Sequence, residues 1–102
     1  MVIYSIEISL NKDIHETWLK WMTEKHISDV MKTDLFIDFK LFKNLLTDEK
    51  ITYTIQYKLK KIEDYQKYQD EFAEKLQKEH NIKFRNQFSA KRKLLKYISE
   101  YV

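Results

Sequence analysis

The hydrophobic positions of this chain fall into runs of two different periods. In residues 2–10, Val2, Tyr4, Ile6, Ile8 and Leu10 share one side, and Ile3, Ser5, Glu7 and Ser9 the other. Period two with β-branched residues predicts a half-buried strand. Asn11 and Asp13 follow, residue types that cap helices. Ile14, Trp18, Trp21 and Met22 then fall on one helical face. Past residue 24 the stripe breaks. Ile27, Val30 and Met31 would sit on the opposite face of a continuous helix, so a kink or a second short helix is predicted near His26, with Ser28 or Asp29 as its cap. Thr33 and Asp34 predict a turn. Leu35, Ile37, Phe39 and Leu41 alternate with Phe36, Asp38, Lys40 and Phe42 in a second strand that reaches about Leu46. Thr47 to Lys50 is a turn built without glycine, using Thr and Asp side chains. Ile51, Tyr53, Ile55, Tyr57 and Leu59 then alternate with Thr52, Thr54, Gln56 and Lys58, and the two strands read as a hairpin.

Residues 62–80 predict a long amphipathic helix. Ile62, Tyr65, Phe72, Leu76 and His80 form its stripe, with Tyr68 at the edge. Glu63–Lys67, Glu71–Lys75 and Glu74–Lys78 are spaced as i,i+4 pairs. Each pair contributes only ~0.2–0.5 kcal/mol, so the stripe decides how the helix docks. Residues 81–87 are a polar connection, and Phe88 to Ile98 predict the last strand, with Phe88, Ala90, Leu94 and Ile98 on one side. The order β-α-β-β-α-β over residues 1–102 predicts one α+β domain. Its expected form is a ferredoxin-like sandwich, a four-stranded antiparallel sheet in order 4-1-3-2 with two helices on one face. The other face carries Ser5, Glu7, Asp38, Lys40, Thr52, Thr54 and Gln56, with Ile3, Phe36 and Phe42. That face must meet solvent, a ligand or a second copy.

Composition narrows the chemistry. The 102 residues include no Gly, Pro or Cys. Glycine-built phosphate loops and dinucleotide fingerprints are excluded, as is the nucleophile elbow. A thiol nucleophile, a disulfide and cysteine metal sites go with them. The longest apolar run is far short of the ~20 residues needed to span a bilayer, and the start lacks the basic-then-apolar order of a signal peptide. The expectation is a cytoplasmic protein, which the missing cysteine fits. The net charge is +3 and the pI about 9.0. The charge is carried by 17 Lys and only 2 Arg, Arg85 and Arg92. Together with 11 Ile and 2 Ala, this suggests an AT-rich genome as the cause of both the Lys excess and the missing Gly and Pro. A GC-rich third codon position would refute that origin.

Several strings carry a family resemblance. They are His15-Glu16-x-Trp18-Leu19-x-Trp21-Met22, His26-Ile27, Tyr53-x-Ile55-Gln56-Tyr57, Glu63-Asp64-Tyr65-x-x-Tyr68 and Arg92-x-Leu94-Leu95. Their order and spacing over about residues 1–98 resemble the bacterial domain-of-unknown-function family DUF 4286. The resemblance implies a dimeric α+β barrel, in which two ferredoxin-like domains join their open sheet faces. That group includes cofactor-free monooxygenases and haem-dependent enzymes, while the family itself has no assigned activity. This chain departs from the family pattern at Ser28, where proline is frequent, at Asp34, where glycine is frequent, and at Lys61, where a Ser or Thr cap is frequent.

The candidate pocket comprises Glu7, Thr54, Gln56, His26, Trp18, Trp21 and Arg92. In a dimeric barrel, Glu7, Thr54 and Gln56 would project inside. An enclosed Glu7 there would act as a base, and Gln56 would hold a carbonyl. Trp18 and Trp21 would wall a pocket or simply fill the core. His26 is the best single candidate for acid–base work, by its motif position and titration range. His15 lies about 16 Å from His26 on an unbroken helix, so no shared metal is expected. His80, at a helix end, would meet the C-terminal carbonyls. Arg92 on the apolar side of its strand would pair with a carboxylate, bind an anion or snorkel. Lys83, Arg85, Lys91, Arg92, Lys93 and Lys96 form a basic C-terminal third. Nucleic acid is nevertheless not the expected partner, because Tyr4, Tyr53 and Tyr57 point inward and leave no stacking platform. The leading expectation is a homodimer with no assigned activity. Two others stand beside it: a small-molecule binder or cofactor-free monooxygenase-like enzyme of the same architecture, and a nucleic-acid binder using the last strand. Substrate and cofactor are left open.

Overall fold

Strand β1 spans Val2–Leu10 and β3 spans Ile51–Leu59, the bounds that the alternation predicts. A computed structural model describes residues 1–46 and 49–101. Thr47 and Asp48 of the expected turn lie outside the described residues. β1 and β3 pair antiparallel along their whole length, with Val2 opposite Leu59 and Leu10 opposite Ile51. β4 (Phe88–Lys96) runs antiparallel along the other side of β1, and β2 (Asp38–Lys43) along the other side of β3. The order β2-β3-β1-β4 is the predicted 4-1-3-2 read from the opposite edge. Tyr4, Ile8 and Leu10 of β1 and Tyr53, Ile55, Tyr57 and Leu59 of β3 are buried on one face, as period two requires.

The second strand is shorter than predicted, and Phe36 is a correction. β2 begins at Asp38, because Asp34 takes a left-handed backbone (φ 63°) and redirects the chain. Phe36 turns into the core at 7% exposure, 4.9 Å from the Tyr68 ring and 5.0 Å from Tyr57. It is therefore absent from the open sheet face. The family pattern often has glycine at Asp34, and the positive φ gives the physical reason. Asp is among the residue types that enter this region most readily.

The first helical rod is continuous but not uniform. α1 (His15–Trp21) passes through a π-helical turn at Met22–His26 into α2 (Ile27–Met31). The wide turn and the short α2 stand where a kink or a second short helix is expected, and only the expected caps are corrected. The helix starts after Ile14 with no side-chain cap, and α2 also lacks one. The Asn11 carboxamide oxygen instead accepts from Lys50 at 2.6 Å, and Asp29 accepts from Lys25 at 2.7 Å. The wide turn holds one extra residue, so the buried positions step from Met22 to Ile27 without leaving the core face. Widening a helix disturbs its carbonyls, and the Thr23 hydroxyl donates to Leu19 O (2.9 Å) and Lys20 O (3.2 Å).

The second rod repeats the device. α3 (Ile62–Tyr68) runs through a π turn at Gln69–Ala73 into α4 (Glu74–Lys83). Its buried positions step by five from Tyr68 to Ala73 and continue through Leu76 to His80. Tyr68, expected at the stripe's edge, is therefore core, while Ile62 is exposed. The ion pairs include Lys25–Asp29, Lys25–Glu79 (3.6 Å) and Lys67–Glu71 (4.0 Å), and none of the three predicted pairs forms among the described residues. Lys25 ties the two rods together at the surface, where such pairs contribute about 0–1 kcal/mol. One core joins both rods to the inner sheet face, with Trp18, Met22, Ile27 and Val30 meeting Tyr68, Ala73, Leu76 and Phe84.

Candidate functional site

The π turn of the first rod carries His26 inward. Its ring stacks on Trp21 (5.0 Å, 28°) and stands edge-on to His80 of α4 (5.8 Å, 62°). His80 is fixed from two sides. Its Nε2 accepts the Trp18 indole N–H at 2.8 Å, and Phe88 meets its face at 4.4 Å. Because Nε2 accepts, a neutral His80 carries its proton on Nδ1. His80 thus serves the core rather than the helix-end carbonyls predicted for it. His15, by contrast, sits apart with its Nδ1 3.0 Å from the Tyr53 hydroxyl.

Burial decides the charge state of both inner histidines. Desolvation pushes His26 down to about 4, against the attraction of Asp29 and Glu79. It pushes His80 to about 4 as well, aided by His26 and Arg92. Both are neutral at pH 7. Within this cluster the Nδ1 atom of His26 has no hydrogen-bond partner, although the residue is only 9% exposed. Buried polar atoms are nearly always paired, so such an atom needs an explanation.

His26 lines a cavity of about 30 Å³ between the rods and the sheet. Tyr4, Tyr57, Tyr68, Gln77, His80 and Arg92 contribute to the walls. Burial pushes the Tyr57 and Tyr68 phenols far up, so they act as neutral hydroxyls. The Tyr4 phenol is also raised by burial, partly offset by the neighbouring Arg92 guanidinium. The chamber accommodates a water-sized group, not a whole organic molecule. A larger groove of about 940 Å³ runs outside it between α4 and β4, and Gln77 and Arg92 line both spaces.

The predicted pocket residues divide between the two sides of the sheet. Arg92 pairs with Ile6 and so faces the rods, with His26, Trp18 and Trp21 on the same side. Glu7 pairs with Thr54 and Lys91, and Gln56 with Ser5, all on the open face. Glu7, Thr54 and Gln56 therefore do not share a pocket with His26, because strand parity separates them by the thickness of the sheet. Gln77 and His80 belong to the chamber and had no part in the predicted site. His80 was legible as a stripe position, whereas Gln77 gave no sequence signal.

The family model for the domain of unknown function DUF4286 matches residues 1–98. The chain belongs to the DUF4286 family. Among curated proteins none matches it. This DUF4286 chain is similar in structure to two dimeric ferredoxin-like proteins from uncultured marine organisms. One is 21% identical with a TM-score of 0.72, covering 100% of this chain and 99% of that one. The other is 10% identical with a TM-score of 0.78, covering 98% of each. It is also similar to a candidate antibiotic biosynthesis monooxygenase from Deinococcus radiodurans, at 13% identity and a TM-score of 0.73, covering 100% and 97%. At these identities the likeness establishes the ferredoxin-like fold of the DUF4286 chain.

Proposed function

We propose that this protein is a homodimer closed through the open face of its sheet, and that each copy binds a small molecule between its rods and its sheet. The observation that carries the binding reading is a chamber lined by His26, whose buried Nδ1 is unpartnered, beside an open groove that shares Gln77 and Arg92 with it. A group that enters from the groove and hydrogen-bonds there removes a penalty of about 1–3 kcal/mol. The dimer reading is supported by Phe42 and Leu95, 47% and 42% exposed on the open face beside Ile3, and by the two similar structures described as dimeric.

Two measurements test this. Sedimentation at micromolar concentration should give a dimer, and a monomer would refute the assembly. A fragment library followed by imidazole NMR should yield compounds that move the His26 signals; a library that leaves them unmoved would refute the binding site. The monooxygenase likeness carries the fold alone, so no reaction is assigned. Nucleic acid is disfavoured because Tyr4, Tyr53 and Tyr57 are all buried against the rods. Among the described residues no helix is long and apolar enough to cross a membrane. We propose a cytoplasmic location, which the missing cysteine fits; recovery in another compartment on cell fractionation would overturn this.

A further inference from the structure

Both arginines of the chain line the same groove. Of its 19 basic residues, three border the groove between α4 and β4, namely Lys78, Arg85 and Arg92, and both arginines are among the three. Everywhere else the chain meets its need for positive charge with lysine. Lysine suffices for a solvated point charge. A guanidinium adds a rigid planar fork of donors that matches a carboxylate with two parallel hydrogen bonds. Arg92 projects from the inner side of β4, and Arg85 from the turn that follows α4. Among the described residues neither arginine is in an ion pair. One acid, Glu74, faces the three cations across the groove lining.

The rest of the groove suits an organic body rather than a bare ion. Phe88 and Ala90 of β4 give it an apolar floor, and Ile82 of α4 stands exposed at its side. Gln77 and Arg92 line the groove and the chamber alike, and His26, whose buried Nδ1 has no partner, lines the chamber. We infer that the groove and chamber together bind an organic carboxylate, with the carboxylate on the Arg92 fork, the apolar body over Phe88 and Ala90, and a water-sized polar group reaching His26. Arg85 adds to the field that draws the anion in. The inference rests on the small-molecule reading above and names the ligand class for that site.

The experiment uses the intact protein and three probes of one shape: phenylacetate, its neutral amide phenylacetamide, and phenyl phosphate. Binding is read by tryptophan fluorescence, because Trp21 stacks on His26, and by the NMR signals of the Arg92 Nε–H and the His26 ring. Phenylacetate should bind saturably and move both sets of signals, with the amide at least about tenfold weaker. Arg92→Lys should weaken phenylacetate roughly tenfold and Arg85→Lys by a few-fold, with the melting temperature unchanged. Amide binding as tight as the acid, or an Arg92→Lys variant that binds phenylacetate normally, overturns the carboxylate assignment and leaves the small-molecule site standing. Tighter binding of phenyl phosphate also overturns it, in favour of a phosphate ester. Binding of none of the three, with His26 unmoved, removes both readings.

Discussion

Acidification should unfold this protein through His26 and His80. Both side chains are buried, and burial holds each near 4 instead of the usual 6.5. In the unfolded chain each imidazole takes its proton near 6.5. Between about pH 6.5 and about pH 4 the unfolded state therefore binds up to two protons that the native state refuses. The stability is fully present above pH 6.5 and is lost as the pH falls toward 4. A displacement from 6.5 to about 4 corresponds to about 3 kcal/mol per histidine. The repulsion of one charged ring by the other is already part of the His80 displacement, so the two together come to about 6–7 kcal/mol. A whole domain has only about 5–15 kcal/mol to lose. Urea melts followed by tryptophan fluorescence, taken at intervals between about pH 7.5 and about pH 4.5, measure the slope. It should approach about 2.5 kcal/mol per pH unit near the middle of the window. His26→Phe should remove about half of the loss while keeping an aromatic stack on Trp21. A stability that stays flat across the window, or a slope that His26→Phe leaves intact, refutes the reasoning.

Two further changes probe the frame around the chamber. Trp18→Phe deletes the indole N–H that His80 accepts and leaves a void in the core, at a cost of about 2–4 kcal/mol by thermal or chemical unfolding. The same variant should raise the His80 titration seen by NMR, since the bond it removes favours the neutral ring; a lowered titration would reverse the assigned tautomer. Asp34→Gly should stabilise the chain by about 0.5–1 kcal/mol, by relieving a left-handed backbone. A loss on that substitution would show that the Asp side chain, not backbone geometry, holds the turn.

What the sequence made legible was its periodicity. The alternation of β1 and β3 fixes their ends, and the strand order follows from the element order. The broken stripe after residue 24 was a true signal, but it pointed to a wide turn rather than an end and a restart. A restarted helix and a wide turn both put Ile27 out of phase, and the unbroken helical backbone from His15 to Met31 tells them apart. The second wide turn hid because Phe72 fitted a regular stripe, while the chain buries Ala73 fully and leaves Phe72 half-buried at the edge of the core. Phe36 was misplaced because alternation assumes an extended backbone, and one positive φ at Asp34 breaks that assumption. The candidate site was half legible for a related reason. Residue type marked His26 and Arg92, but only pairing register shows that Glu7 and Gln56 lie behind the sheet from them.

The wide turn at Met22–His26 also separates two things that are usually entangled in a small domain. The extra residue behaves as an insert in the helix. Delete His26, and Ile27 and Val30 stand four and seven residues after Met22, the spacing of an ordinary α-helical stripe. The shortened rod would still cover the sheet. Its core would lose an imidazole and keep its hydrocarbon. By this spacing the histidine is an insert in the stripe, and a chain one residue shorter should keep the stripe while the chamber loses one polar wall of several.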